Sequence, residues 1–209
     1  MRRTIKAAAF DFGKVIAREP DPNAVVDIAK MAGIPVDEFL PVLYGIRDGY
    51  DRGTWDGKEY YREVLARLGA AAEERVLEKM AEIDTDSWKT LNPETLRLIA
   101  DIKSAGLKTA ILSNMPHDFL RYARTNIPLF SQVDAGIFSC EWSLIKPERG
   151  IYEALAGTLD LSPGEIVFFD DIPANIDAAR AFGIQGILWQ DAATARHELR
   201  RRGIVERFC

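Results

Sequence analysis

The stretch Ala7-Ala8-Ala9-Phe10-Asp11-Phe12-Gly13-Lys14-Val15 decides how the chain is read. A short apolar run ends on a carboxylate and then turns at a glycine. The run is too short for a helix and fits a buried strand. Buried strands belong to parallel sheets, where ligands collect beyond the carboxyl ends. Asp11 falls at such an end. Taken alone, an aspartate there serves equally well as a turn former, so its meaning depends on the stretches that follow.

After Val15 the texture changes. Pro20 and Pro22 flank acidic residues and read as a linker. From there to Trp88 the periodicity is helical throughout. Val25, Ile28, Ala29 and Ala32 recur at helical spacing and stop at Gly33; Phe39, Val42, Leu43 and Ile46 repeat the pattern. Tyr61, Val64, Leu65 and Leu68 run to Gly69, and Leu77, Met80 and Ala81 make a weaker fourth case. Residues 18–87 are therefore expected to form an all-helical insertion, a cap, between two parts of an α/β core, 1–17 and 88–209.

Strand and helix alternate afterwards. Asn92-Pro93-Glu94 opens a helix with an N-cap and a first-turn proline, and Gly106 closes it. Thr109–Leu112 is a strand ending in Ser113-Asn114, and His117–Asn126 is a helix. Ala135–Ser139 is a strand, Lys146-Pro147 precedes a helix from 148 to 159, and Glu165–Phe169 is a strand ending in Asp170-Asp171. Asn175–Phe182 is a helix closed by Gly183, and Ile184–Trp189 is the last strand. Such alternation predicts a doubly wound parallel sheet.

The whole chain sets bounds on function. Of its 209 residues 47% are hydrophobic and the formal net charge is −5, enough apolar material for a large core. The acidic balance disfavours nucleic acid as a partner. The one basic cluster, Arg196, Arg200, Arg201 and Arg202, sits on a C-terminal helical segment, where cations suit the helix dipole. Cys140 and Cys209 make neither a disulfide framework nor a metal spacing, which suggests a reducing, cytoplasmic setting. Met1-Arg2-Arg3 imitates the start of a signal peptide, but Asp11 interrupts the apolar run too early. No stretch approaches membrane-spanning length.

Polar groups fall just beyond several strand ends: Asp11, Ser113-Asn114 and Asp170-Asp171, with Lys146 alone before a helix. Each has a plain structural reading: a turn for Ser113-Asn114, solvated surface for Lys146, a helix cap for the paired acids. Together they say more, because the ends of a parallel sheet share one edge. Carboxylates meeting in one crevice repel unless a cation lies between them. All-oxygen ligation suits Mg²⁺ better than zinc, and a lysine and a hydroxyl beside it suit a phosphate.

On these residues the chain resembles the haloacid dehalogenase superfamily, in its branch with a helical cap. The resemblance runs over nearly the whole chain: Phe10-Asp11-Phe12-Gly13-Lys14-Val15, Leu112-Ser113-Asn114, Ile145-Lys146-Pro147, and Phe168-Phe169-Asp170-Asp171 with Asn175 match the family's four motifs in order. The Asp-x-Gly-x-Val pattern and Ser113-Asn114-Met115-Pro116 are similar to the sugar-1-phosphate phosphatases within it. The resemblance implies a Mg²⁺-dependent phosphatase for a small phosphorylated metabolite. In it Asp11 is the nucleophile and forms an aspartyl-phosphate; Ser113, Asn114 and Lys146 hold the phosphoryl group. Asp11, the Gly13 carbonyl and Asp171 ligate the metal, and Asp170 and Asn175 support the site.

One position departs from the family. Most of its phosphatases carry a second aspartate, the general acid and base, where this chain has Gly13. Such a group supplies about 10²–10⁴-fold. Lys14 and His117 are neighbours that could stand in for parts of that role. Two other functions remain open: a 2-haloacid dehalogenase with Asp11 attacking carbon, which the paired acids disfavour, and a catalytically weak binding or regulatory protein. Tyr44, Asp48, Tyr50 and Trp55 are cap candidates for substrate contact, with helix packing as the commoner fate of such residues.

Overall fold

The computed structural model describes residues 4–204. β1 (Ala7–Phe10) is the centre of a five-stranded sheet with β2 (Lys108–Ser113), β3 (Ala135–Phe138), β4 (Ile166–Asp170) and β5 (Gln185–Leu188). The order is β3-β2-β1-β4-β5 and every pairing is parallel. All four residues of β1 are buried, which is why the strand appears as an unbroken apolar run rather than an alternating one. Its pleat sends Ala8 and Phe10 into one core and Ala7 and Ala9 into the other. The Phe10 ring stacks on Phe169 of β4 at 5.0 Å.

The chain fills one half of the sheet and then crosses back beside β1 to start the other half. The reversal lies between β1 and β4, and ligands of doubly wound sheets bind outside the strand ends at such a point. Asp11 follows β1, Asp170 ends β4 and Asp171 comes next.

Five helices lie between residues 22 and 87. They are α1 (Pro22–Ala32), α2 (Val36–Gly45), α3 (Arg47–Asp51), α4 (Gly57–Arg67) and α5 (Glu74–Ser87). Their apolar stripes close on one another around Ile28, Phe39, Tyr60, Leu65 and Met80, a third core separate from those of the sheet. Asp56 and Glu59 cap α4 reciprocally, each carboxylate accepting the other's backbone N–H at 2.9 Å. Ile46, expected inside a helix, instead separates α2 from α3. Gly45, a poor helix residue, marks the break.

Two layers sandwich the sheet. α6 (Pro93–Ser104), α7 (His117–Asn126), α8 (Leu129–Gln132) and α9 (Ser139–Trp142) come before α10 (Arg149–Leu159), α11 (Pro173–Phe182) and α12 (Ala192–Arg201). α6, α7 and α12 pack on the Phe10 face. α10 and α11 pack on the Ala9 face. The Asn92 side chain caps α6 as expected. The C-terminal arginines lie on and just after α12, where Arg201 and Arg202 pair with Glu198 and Arg196 pairs with Asp101. Cys140 is buried and free; Cys209 and Met1–Arg3 lie outside the described residues. Among the described residues no helix is long and apolar enough to cross a membrane.

The turn after β1 corrects one expectation. Gly13 has φ −63°, ψ 129°, which any residue adopts, and the left-handed residue is Lys14 at φ 57°. Ala17 N–H closes the turn onto the Phe12 carbonyl at 2.7 Å. Gly13 is therefore not demanded by the backbone. Space there is tight: a Cβ would stand 3.3 Å from the Trp88 ring.

Candidate active site

Three carboxylates meet at the switch point. Asp11, Asp170 and Asp171 each place an oxygen within 4.8 Å of the others. Lys146 bridges two of them, with its Nζ 2.7 Å from Asp11 Oδ1 and 2.6 Å from Asp170 Oδ2. Lys146 is only 4% exposed and Asp170 not at all, so neither charge is solvated and each depends on the other. Asp170 is fully engaged. Its Oδ1 accepts Ile172 N–H at 2.8 Å, and Asn175 Nδ2 donates to both carboxylate oxygens at 3.1 and 3.0 Å. Asn175 is placed by the first turn of α11, which begins directly beyond β4.

The electrostatics follow from burial. Loss of water pushes the Asp11 carboxyl up to about 6, against the pull of Lys146, and the Asp170 charge pushes the same way. Burial and Asp170 likewise raise Asp171. Burial opposes the Lys146 charge, yet the two carboxylates outweigh it and hold its pKa above the ordinary lysine value. Three carboxylates against one ammonium leave the crevice short of positive charge. The donors are all hard oxygens, the chemistry of a magnesium-type cation. The residues present thus fit a divalent cation held by oxygen.

Lys146 sits on a loop clamped from two sides. Asn114 Oδ1 accepts Lys146 N–H at 2.8 Å and Asn114 Nδ2 donates to the Lys146 carbonyl at 3.1 Å. The amide expected to bind substrate is thus occupied at both ends in positioning the lysine. Next door, Glu148 accepts Ile145 N–H at 3.2 Å and is itself gripped by Arg52 at 2.8 and 2.9 Å. The α3 end thereby touches the lysine loop. Ser113, the last residue of β2, is buried, and its hydroxyl makes only a long 3.4 Å contact to the Asn114 carbonyl.

Above the carboxylates lies a cavity of about 520 Å³ between the sheet edge and the inserted helices. Asp11, Gly13, Ser113, Asn114, Lys146 and Asp171 form its floor, and Lys14 lies at its side. The Lys14 ammonium pairs with Glu19 at 3.0 Å. Tyr44 and Asp48 also line the cavity. Tyr50 and Trp55 do not: Tyr50 is buried and donates to Asp118 at 3.1 Å, and the Trp55 ring covers Gly49. His117 is absent from the lining as well; its Nε2 lies under Gly53. Sequence reasoning missed Trp88, Arg47 and Asp84, all of which line the cavity. Arg47 closes on Asp51 at 3.0 Å and Asp84 at 3.1 Å. No local pattern signals contacts made between separate helices.

A doubly wound sheet with acids at its switch point and a helical roof inserted after the first strand defines a class of α/β hydrolase. The chain belongs to the haloacid dehalogenase-like hydrolases, whose family profile matches residues 3–183. It is 34% identical to bifunctional epoxide hydrolase 2 of Rattus norvegicus over 94% of this chain but only 38% of that protein. The chain thus spans well under half the length of that relative. A sesquiterpene phosphatase of Aspergillus oryzae is 26% identical over 96% of this chain and 98% of its own. Among solved structures, a family enzyme of Bacteroides thetaiotaomicron in complex with magnesium and inorganic phosphate is similar at TM-score 0.72. It is 17% identical and covers 89% of this chain and 94% of that one. The L-2-haloacid dehalogenase of Xanthobacter autotrophicus with chloropropionic acid covalently bound has TM-score 0.66 and 25% identity, covering 96% and 84%.

Proposed function

We propose that the chain is a Mg²⁺-dependent phosphatase acting on a phosphate monoester of a small organic alcohol, with Asp11 as nucleophile. The observation that carries this reading is the meeting of Asp11, Asp170 and Asp171 around Lys146 at one strand edge. The sesquiterpene phosphatase and the magnesium–phosphate complex among its relatives support it. Asp11 and Asp171, with the Gly13 carbonyl, are the groups to hold the metal, which when bound supplies positive charge for the phosphate oxygens.

Lys146 neutralises charge on the transferring group and keeps Asp11 ionised despite its burial. The Ser113 hydroxyl, weakly engaged, donates to a phosphoryl oxygen. Asp11 attacks phosphorus, the bond to the organic oxygen breaks, and an aspartyl-phosphate forms. Water then cleaves it, releasing inorganic phosphate and restoring the carboxylate. Asp170 and Asn175 fix Lys146, and Asn114 fixes its loop.

With no acid at position 13 the organic oxygen departs with little proton assistance. Weakly basic leaving groups are favoured, and an anomeric, acyl or aryl oxygen meets that condition. A sugar 1-phosphate is one such substrate. The test is a screen of phosphate monoesters with and without Mg²⁺. Metal-dependent release of phosphate, lost in Asp11→Asn, is expected. Metal-independent halide release from 2-haloacids would instead make the chain a dehalogenase, and tight binding without turnover would make it a binding protein.

A further inference from the structure

The cavity is much larger than a phosphate, and its walls differ from its floor. Val25, Ile28 and Leu43 face it from the insertion, Met115 and Phe119 from the core, and Trp88 joins the two. At the mouth Tyr44 and Ile172 are exposed, 63% and 48%. Several polar groups on the roof are engaged with one another. Arg47 is held between Asp51 and Asp84 with its guanidinium 4.9 Å over the Tyr50 ring, and Ser87 donates to the Asp84 carbonyl at 2.7 Å. The Tyr61 hydroxyl is the only buried side-chain polar atom without a partner among the described residues. A sugar brings several hydroxyls that each need a partner once buried. This roof leaves few, Asp48, Thr85 and the Tyr61 hydroxyl, against a larger apolar surface.

Resting on the phosphatase reading, we infer that the organic part of the substrate is hydrophobic: a phosphate monoester of an apolar alcohol or phenol, lying along Trp88 under the Val25–Leu43 wall, in preference to a sugar phosphate. The Trp88 ring lies 3.3 Å from where a side chain at position 13 would begin, so the apolar wall stands directly beside the position that lacks the acid.

The experiment holds leaving-group acidity constant and varies apolar area. Initial rates are measured with Mg²⁺ for a series of 4-n-alkylphenyl phosphates from methyl to hexyl, whose phenol oxygens are equally good leaving groups, with 4-(glucosyloxy)phenyl phosphate as the polar aryl ester. The expected result is a rise in kcat/KM of about fourfold per methylene until the cavity is full, with the glucosyl ester below the hexyl ester. Tyr44→Ser and Val25→Ser are expected to flatten that slope, a ratio internal to each variant and independent of its overall rate. A flat series, or a preference for the sugar ester, overturns the inference. If no aryl ester is turned over, the phosphatase reading fails by itself, and n-alkylphosphonates of increasing length are titrated calorimetrically with Mg²⁺. Affinity that climbs with chain length then sustains the apolar site, and affinity that stays flat overturns it.

Discussion

Asp11 is buried in a form that the fold does not favour, and replacing it should show this as stability. Its carboxyl ionises near 3.8 ordinarily and near 6 here. At 1.36 kcal/mol for each tenfold in acidity, ionised Asp11 is about 3 kcal/mol less favourable in the fold than in the unfolded chain. The folded chain holds this proton more tightly than the unfolded one. The group therefore favours the fold below about pH 4, and that contribution is lost as pH rises through about 6. Asp11→Asn removes the titration and leaves Lys146 its 2.6 Å contact with Asp170. Without divalent cation at pH 8 the variant should be more stable than wild type by up to about 3 kcal/mol, or roughly 6–12 °C in Tm. The gap should close as pH falls to 4. Mg²⁺ should narrow it at pH 8, because a cation bound by the folded state alone stabilises wild type more. The assay is chemical or thermal unfolding of both proteins with chelator and with Mg²⁺, from pH 4 to 8. A gap that does not change with pH, or a wild type more stable at every pH, refutes the reasoning.

Lys146→Ala leaves two facing carboxylates uncompensated and should cost about 3–5 kcal/mol in denaturant unfolding, while phosphatase kcat/KM falls by at least about 10²-fold. Normal turnover in a destabilised variant would make Lys146 purely structural. Gly13→Asp alone requires the Trp88 ring to give by a few tenths of an ångström, since a Cβ there stands 3.3 Å from it, and should raise activity less than in a background that frees the ring. Paired with Trp88→Leu, it should raise kcat/KM on poor leaving groups, by up to about 10²–10⁴-fold if the carboxylate takes up acid catalysis. An equal gain from the single substitution would show that Trp88 yields easily.

The fold was legible because its signals are local. The apolar runs at Ala7–Phe10 and Ile166–Phe169 are fully buried strands, and Gly33 and Gly183 stop their helices in the left-handed conformation at φ 68° and 107°. The meeting of Asp11, Ser113 and the paired acids was legible from one rule, that parallel strands end at a common edge, and Lys146 was added to them through the family resemblance. Other parts depend on contacts between residues far apart in sequence. Trp88 set against Gly13, Arg52 gripping Glu148, and the Asn114 amide used up on the Lys146 backbone have no local pattern. The turn was misplaced onto Gly13 for a related reason: glycine is the usual left-handed residue, and here Lys14 takes that conformation.

The insertion leaves and rejoins the core side by side. Ala17 pairs antiparallel with Leu91. Arg18 N–H donates to the Thr90 carbonyl and Asn92 N–H to the Ile16 carbonyl, each at 2.8 Å. Viewed from the sheet, everything between them is one long loop with its ends tied. Closing such a loop becomes only about 0.6 kcal/mol harder when its length doubles. By loop entropy alone the core could carry a longer or shorter roof. Arg52 on Glu148 and Trp88 against Gly13 nevertheless tie this roof to the crevice below, so a rebuilt roof that keeps the crevice intact must keep those two contacts.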